Sequence, residues 1–228
     1  DEVSWMASAD PTFLPKLKNA WDREFSRNPR LVLVVCSSIS SWIEANILSS
    51  TGFVGRVSLG VRLDELPMAD CLGFSGMRSG TASFYDQLKI LSVTGGVPKY
   101  LEELVDSQSA EENIRRLCFE PSGLLFREFE QIFSDLFERR HSLYRRIVTA
   151  LVNRRMNLTE LCHALQMEKS GVVAGYVDDL RLAGFVEKDY AWNLNTDSEG
   201  RQFTYRIKDN YIRFYLKHIT PHHAAVTK

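Results

Sequence analysis

Hydrophobic and polar positions in the first 63 residues follow the periods of alternating helices and strands. Between Pro11 and Arg27 the apolar residues recur at three- and four-residue steps, which predicts an amphipathic helix. The run Leu31–Val35 is continuously apolar and rich in valine, which predicts a central strand of a sheet covered on both faces. Residues 57–63 alternate apolar with other positions, which predicts a half-buried strand. A helical stretch follows the first strand, so this part is predicted to have α/β organisation.

The middle of the chain, from about residue 81 to residue 140, changes to helical patterns almost throughout. One interruption, VTGGVPKY, divides two of these helices. Gly95 and Gly96 are predicted to end the first helix, and Pro98 is predicted to begin the next. The pattern therefore indicates an all-α region.

The last part of the chain carries three helical patterns and then two strand patterns. The helices are SLYRRIVTALV, LTELCHAL and KSGVVAGYVDDLRLAG, and the strands are FVEKD and FTYRIKD. Three helices followed by a two-stranded hairpin is typical of the winged helix, a variant of the helix-turn-helix. A final amphipathic helix, DNYIRFYLKHI, is expected to pack its aromatic residues on this domain. The predicted domains are 1–66, 67–140 and 141–228.

Composition narrows the classes of protein without selecting one. The 228 residues have a formal net charge of −1, so bulk charge predicts neither a nucleic-acid nor a membrane partner. From residue 121 onward there are 16 Lys and Arg against 13 Asp and Glu, a mild basic bias. No apolar run approaches the roughly 20 residues of a membrane span. The four cysteines lie far apart and form no C-x-x-C motif, which favours reduced thiols in a cytoplasmic protein.

The acidic pair at the start of DEVSWM is a candidate for chemistry. Asp1 and Glu2 precede a helix and then the predicted strand, which ends in Cys36-Ser37-Ser38. Carboxylate oxygens suit Mg²⁺, and a carboxylate also polarises water. A solvated terminus is the alternative for the acidic pair, and capping of the next helix is the alternative for the two serines.

Several segments together carry a resemblance over essentially the whole chain. They are DEVSWM, LVLVVCSSISSWIEANILSSTGFVGRVSL, LKILSVTGGVPKYLEEL, SAEENI, IFSDLF and YRIKDNYIRFYLKHI. In this order they resemble the archaeal-type P-loop ATPases of the STAND/AAA+ group. The resemblance implies an α/β remnant of a P-loop (AAA+-like) domain, then an all-α lid and a winged-helix domain, mostly helical overall. The chain departs from the family in two respects. It contains no Gly-Lys dipeptide and therefore no G-x-x-x-x-G-K-[ST] loop, and it lacks the restriction-endonuclease-like region that often follows the final helix in relatives. It is accordingly expected to be an internal portion of a longer ATPase.

The resemblance also implies roles for particular residues, with ATP and Mg²⁺ as cofactors of the intact protein. In that protein Asp1 is expected to hold Mg²⁺, Glu2 to polarise the attacking water, and Arg56 to reach the γ-phosphate of a neighbouring copy, which leaves a homo-oligomer open. A solvated arginine at the start of a strand is the alternative for Arg56. The nucleotide is expected to meet Ser37 and Ser38 at the sensor position and Gly96 and Pro98 in the lid. Without the phosphate-binding loop, the chain alone is expected to bind ATP poorly.

A non-enzymatic winged-helix module that binds DNA or a protein partner is the alternative function. Arg145 and Arg146, on the first helix of that domain, are the candidate contacts to a DNA backbone. The third helix carries Asp178 and Asp179, which oppose DNA binding there. A degenerate ATPase that serves as an interaction platform is a third possibility.

Overall fold

The computed structural model describes residues 2–38, 40–78, 83–137, 141–168 and 171–223. These residues are mostly helical and contain a small two-stranded antiparallel sheet. The chain divides into two compact units, Asp1–Arg62 and Leu63–Lys228. In the described ranges every helix is too short or too polar to cross a membrane.

The first unit is built from short helices joined by extended segments. Its helices are α1 (Val3–Ala9), α2 (Phe13–Arg23) and α3 (Ser40–Ile43), with 3₁₀ turns at Phe25–Arg27 and Thr51–Phe53 and a π-helical turn at Glu44–Leu48. Helix α2 confirms the predicted amphipathic helix. It begins after Thr12 because the Asp10 carboxylate accepts hydrogen bonds from the Thr12 N–H, at 2.9 Å, and from its hydroxyl, at 2.6 Å.

Both strands predicted for this unit are wrong for this structure. Residues 31–37 and 57–63 adopt no regular secondary structure, and no described residue pairs with either segment in a ladder. Their apolar side chains are largely exposed, at 83% for Val32 and 91% for Leu63. A strand needs a neighbour for its N–H and C=O groups, and an apolar run does not supply one.

The second unit contains the longer helices and the sheet. Its helices are α4 (Met68–Cys71), α5 (Ser75–Arg78), α6 (Phe84–Thr94), α7 (Pro98–Glu102), α8 (Ala110–Phe119), α9 (Leu124–Phe137), α10 (His141–Leu151), α11 (Leu158–Ala164), α12 (Gly171–Leu182) and α13 (Asn210–Phe214), and α13 continues into a π-helical turn, Tyr215–Ile219. Capping boxes fix three helix starts: Ser83 caps α6, Ser109 caps α8 and Asn157 caps α11. The predicted helices of this region are confirmed.

The sheet confirms the predicted hairpin. Strands β1 (Val186–Asn193) and β2 (Ser198–Ile207) are antiparallel, with Val186 opposite Ile207. A short third segment lies along β2, because Met156 and Tyr205 exchange two backbone hydrogen bonds of 3.1 and 2.8 Å. This bridge holds the loop that follows α10 beside the hairpin.

The C-terminal helix packs mainly against the predicted lid, and not against the hairpin domain alone as its sequence suggested. The Tyr211 ring meets the Tyr100 ring of α7 edge to face at 5.6 Å, and its hydroxyl donates to the Leu125 carbonyl of α9 at 2.7 Å. The Tyr215 ring stacks on the Phe129 ring at 4.3 Å. Helices from both predicted domains therefore share one core.

A buried carboxyl begins this helix. Asp209 caps α13 by accepting the Ile212 N–H at 2.6 Å. Burial raises the pKa of the Asp209 carboxyl to about 6, and the carboxylate of Glu65 adds to the rise, while hydrogen bonds from the N–H groups of Ile212 and Tyr211 partly oppose it. The cap is thus partly protonated in mild acid.

Candidate functional site

Three of the residues singled out from the sequence lie together in the first unit. The Glu2 carboxylate accepts hydrogen bonds from the Ser38 N–H, at 3.2 and 3.3 Å, and from the Ser38 hydroxyl, at 3.2 Å. The Ser37 hydroxyl approaches the same carboxylate at 3.5 Å. The acidic residue and the predicted sensor serines therefore form one polar cluster, which we call the Glu2 cluster.

Two further contacts hold the start of α1 against residues 36–38. The Val3 N–H donates to the Cys36 carbonyl at 3.0 Å, and the hydroxyls of Ser4 and Ser37 are 2.8 Å apart. Val3 and Ser4 are buried, at 3% and 2% exposure, whereas Ser38 is exposed. The Glu2 cluster is therefore buried on the side of Val3 and Ser4 and open to solvent on the side of Ser38.

Glu2 adopts a backbone conformation that costs free energy. Its φ of 48° and ψ of 52° lie in the left-handed region, where a side chain with a Cβ is strained by about 1–2 kcal/mol. Such strain persists where surrounding contacts impose it, and it is common at functional sites. At Glu2 this conformation accompanies the contacts of the carboxylate to Ser37 and Ser38.

The oxygen atoms of the Glu2 cluster are of the kind that Mg²⁺ and its water ligands prefer. Asp1, the predicted Mg²⁺ residue, lies outside the described residues. Among those that are described, no group of three or more His, Cys, Asp or Glu is arranged to hold a metal ion. The carboxylate and hydroxyl oxygens are of the type that a hydrated Mg²⁺ binds. One carboxylate is too few to hold the ion, so further ligands would be needed.

Arg56, the predicted phosphate contact, is engaged elsewhere in the first unit. Its Nε donates to Asp22 Oδ1 at 2.8 Å and its Nη2 to Asp22 Oδ2 at 3.0 Å, while its Nη1 donates to the Val54 carbonyl at 3.2 Å. Hydrogen bonding from Arg56 is the largest cause of the lowering of the Asp22 pKa, to about 2. Within the described part of this unit, Arg56 does not contact the Glu2 cluster.

Gly96 and Pro98 form a tightly packed turn in the second unit. The Gly96 N–H donates to the Glu65 carboxylate at 3.0 Å, and its carbonyl accepts the Leu66 N–H at 2.8 Å. A Cβ at Gly96 would lie 2.0 Å from the Leu66 carbonyl oxygen. Pro98 is the first residue of α7, as predicted. The turn accepts a carboxylate, and a role toward a nucleotide stays a prediction.

The two arginines predicted to contact DNA have internal partners. Arg145 donates to both oxygens of Glu130, at 2.8 and 2.5 Å, and its guanidinium lies 5.3 Å from the centre of the Phe129 ring. Arg146 donates to the Leu165 carbonyl. Both side chains therefore tie α10 to neighbouring elements, and DNA contact by either stays a prediction.

Sequence reasoning missed a basic cleft of about 610 Å³ between the loop after α10 and the hairpin. Its cationic lining residues come from four separate segments, listed here: Arg154, Arg155, Lys188, Arg206 and Arg213. The mild basic bias of the second half was the one available signal, because no local motif joins residues so far apart in the chain.

Comparison with known proteins gives one weak relative. The chain is similar to the uncharacterized protein MJECL04 of Methanocaldococcus jannaschii, with 22% identity over 232 aligned residues. The alignment covers 99% of this chain and 49% of the relative, so the chain spans about half the length of the curated protein that it matches. No protein-family model matches the chain.

Proposed function

We propose that the chain is part of an ATP-hydrolysing P-loop ATPase of the AAA+/STAND type. The Glu2 cluster carries this proposal, because it joins the residue proposed to act on the attacking water to the two proposed sensor serines. These residues lie 35 and 36 positions apart in the sequence. Their contact is what a catalytic carboxylate beside a sensor would require.

In this proposal Glu2 orients a water molecule and accepts its proton. A general base must be held in one direction, and hydrogen bonds from Ser37 and Ser38 supply that constraint. ATP with Mg²⁺ would supply the phosphoryl group and neutralise its charge. The Ser37 hydroxyl, whose 3.5 Å approach to Glu2 is the longest contact of the cluster, would turn to a phosphate and report which nucleotide is bound, while Ser38 keeps its hydrogen bonds to Glu2.

The exposed apolar segments support the same interpretation. Residues 31–37 and 57–63 combine strand-like composition with side chains that meet solvent, for example Val32 at 83% and Leu59 at 77% exposure. In the proposal these segments, which are not strands in this structure, would become strands only by pairing with other strands of the complete ATPase. Burial at about 25 cal/mol per Å² of apolar surface would favour that pairing.

The second unit would act as lid and winged helix. Support for a winged helix comes from the order of α10, α11 and α12, the Met156 bridge to Tyr205 and the hairpin. A change of nucleotide would move the lid, and the shared core would pass that movement to the hairpin. The same arrangement favours, as a second candidate, a non-enzymatic winged-helix module that binds a nucleic acid or protein.

ATP hydrolysis by the complete protein encoded by the gene tests the first proposal. Glu2→Gln keeps the size of the side chain and removes the base, so we expect hydrolysis to fall by about 100-fold or more while ATP still binds. Glu24→Gln, at an exposed position of the first unit, is the matched control and should keep full activity.

Two results would overturn the proposal. Hydrolysis by Glu2→Gln at the rate of the unaltered protein would remove Glu2 from the mechanism. If the complete protein does not bind ATP in calorimetry, the proposed ATPase function is wrong and the second candidate function is favoured.

A further inference from the structure

The basic cleft concentrates positive charge in a chain whose net charge is −1. Among the described residues that line it, five are cationic and two, Asp189 and Glu199, are acidic. The cleft is formed by the loop after α10, both strands of the hairpin and Arg213 of α13. Its composition therefore favours an anionic ligand.

The fold holds two of these cations in fixed positions. The Met156 bridge keeps the preceding residues beside the hairpin, and there Arg155 contacts Asp189 at 3.0 Å. Arg206 donates to the other oxygen of Asp189, also at 3.0 Å, and contacts Glu187. One carboxylate thus orients two guanidinium groups at the wall of the cleft.

Within the described residues, no ion pair engages the other three cations. Arg154 is exposed and forms no ion pair within the described part of the chain. The Lys188 ammonium lies 4.8 Å from the centre of the Phe203 ring, and Arg213 donates to the neutral side chain of Asn210. The contacts named here are with uncharged groups, although the buried Asp209 carboxylate interacts electrostatically with Arg213, so phosphates of a ligand would meet the charges of Arg154 and Lys188 most directly.

Aromatic rings accompany the cations. Tyr190 lines the cleft with 44% of its surface exposed, and Trp192, two residues further along β1, is 56% exposed. A small inorganic anion gains nothing from aromatic rings, because it has no flat face that could stack on them. Unstacked bases do, because every base has a face that stacks on an aromatic side chain.

We propose that this cleft binds single-stranded nucleic acid. Arg154, Lys188 and Arg213 neutralise backbone phosphates, and Tyr190 and Trp192 stack on bases. The inference does not rest on the ATPase proposal, and it gives the second candidate function a surface and a ligand.

Helix α12, where a winged helix usually reads duplex DNA, is poorly suited to that role. Asp178 pairs with Arg181 at 2.9 Å, and Asp179 accepts the Tyr144 hydroxyl at 2.6 Å. Arg181 is the one cation among the described residues of the helix, so its two carboxylates outnumber its positive charge. The charge distribution thus places phosphate binding in the cleft and away from α12.

The test measures, by fluorescence anisotropy, how tightly the full chain binds a labelled oligothymidylate. An oligonucleotide of about 16 nucleotides is used because this is the upper end of the site sizes for such grooves. Because the lining cations exceed the acids by three, we expect the logarithm of the binding constant to fall with the logarithm of salt with a slope of about −2. The double variant Arg154→Glu/Lys188→Glu should weaken binding by about tenfold or more and flatten this slope.

Matched variants distinguish binding in the cleft from non-specific electrostatic or hydrophobic binding elsewhere on the chain. Arg115→Glu reverses a charge on α8, where the side chain is 69% exposed, and should leave binding unchanged. Trp192→Ala should weaken binding by about tenfold, whereas Trp5→Ala, at 57% exposure in the first unit, should not. Circular dichroism checks that each variant is folded.

The proposal would be overturned by no binding at low salt, by equal losses in the cleft variants and their controls, or by displacement of the oligonucleotide by inorganic phosphate at equal phosphate concentration. A duplex that binds more tightly than the single strand and ignores Trp192→Ala would also overturn it. Failure of ATP to bind the chain would leave it untouched, so the two proposals fail separately.

Discussion

Glu2 and Ser38 are joined by hydrogen bonds from both the backbone N–H and the hydroxyl of the serine, although 36 positions separate them. Glu2 has a left-handed backbone, and the contact fixes the direction of its carboxylate. An acidic side chain that is partly exposed is normally free to rotate. This one is held, which makes the cluster testable by its energetics as well as by its chemistry.

The strain at Glu2 predicts an unusual order of variants. Both Glu2→Ala and Glu2→Gly lose the hydrogen bonds to Ser38, but only alanine keeps a Cβ in the left-handed region. We expect glycine to retain the docked start of α1 better, by about 1 kcal/mol. Hydrogen exchange of the Val3 N–H, which donates to Cys36, measures this directly. Equal exchange in both variants would contradict the strain, and Glu24→Ala is the control.

The pair of Arg56 and Asp22 predicts a shift in titration. Arg56 holds the pKa of the Asp22 carboxyl at about 2, so Arg56→Ala should raise it toward its ordinary value of 3.8. Arg56→Lys should give an intermediate value, because lysine cannot form the two-pronged contact. Carboxyl chemical shifts followed by NMR provide the measurement. Asp10, whose pKa is lowered mainly by Lys16, is the internal control and should not move.

The buried cap Asp209 predicts a stability that changes with pH. Its pKa is about 6 in the folded chain and 3.8 ordinarily, so the folded state binds more protons between these values. The free energy of unfolding should therefore fall as pH rises from about 4 to about 6 and then level off.

Asp209→Asn keeps an acceptor for the Ile212 N–H and removes the buried charge. We expect it to abolish this fall and to stabilise the chain at pH 7 by about 1 kcal/mol. The gain is limited because the amide offers one acceptor oxygen where two N–H groups approach. Urea unfolding at several pH values tests the prediction. A wild-type stability that rises between pH 4 and pH 6 in step with that of Asp209→Asn would contradict it.

The turn at Gly96 predicts opposite effects for two glycine replacements. Gly96→Ala places a Cβ 2.0 Å from the Leu66 carbonyl oxygen and 2.8 Å from the Leu66 nitrogen, so the backbone must shift. We expect a loss of about 3 kcal/mol. Gly175→Ala, in α12 with no atom within 4 Å of the new Cβ, should stabilise the chain by about 0.5–1 kcal/mol. Thermal unfolding of the full chain compares the two variants, and similar losses would refute the close packing at Gly96.

Most of the helices could be predicted from the sequence because capping residues close to each helix start determine where the helix begins. Ser83 with Asp86, and Asn157 with Glu160, satisfy the first N–H groups of α6 and α11 from within four residues. The hairpin was predictable for the same reason, since its strands pair across a short turn. The conformation of Leu31–Val35 was not predictable in this way, because pairing of a central strand depends on residues distant in the chain.

The Glu2 cluster was predictable in part. The resemblance to P-loop ATPases implied that Glu2, Ser37 and Ser38 belong to one site, whereas the left-handed backbone at Glu2 left no trace in the sequence. The basic cleft depends on the bridge between Met156 and Tyr205, 49 positions apart, and no periodicity reports such a contact.

The Tyr211 hydroxyl that donates to the Leu125 carbonyl, with the Asn210 amide that donates to the Leu91 carbonyl at 3.1 Å, makes α13 a clamp across the second unit. The adjoining Lys208 N–H donates to the Phe185 carbonyl next to the hairpin at 2.9 Å. A tilt of α6 or α9 would therefore drag the hairpin with it. Helix α13 is thus the element that joins α6 and α9 through hydrogen bonds, and a chain that ends before residue 210 would lack both bonds.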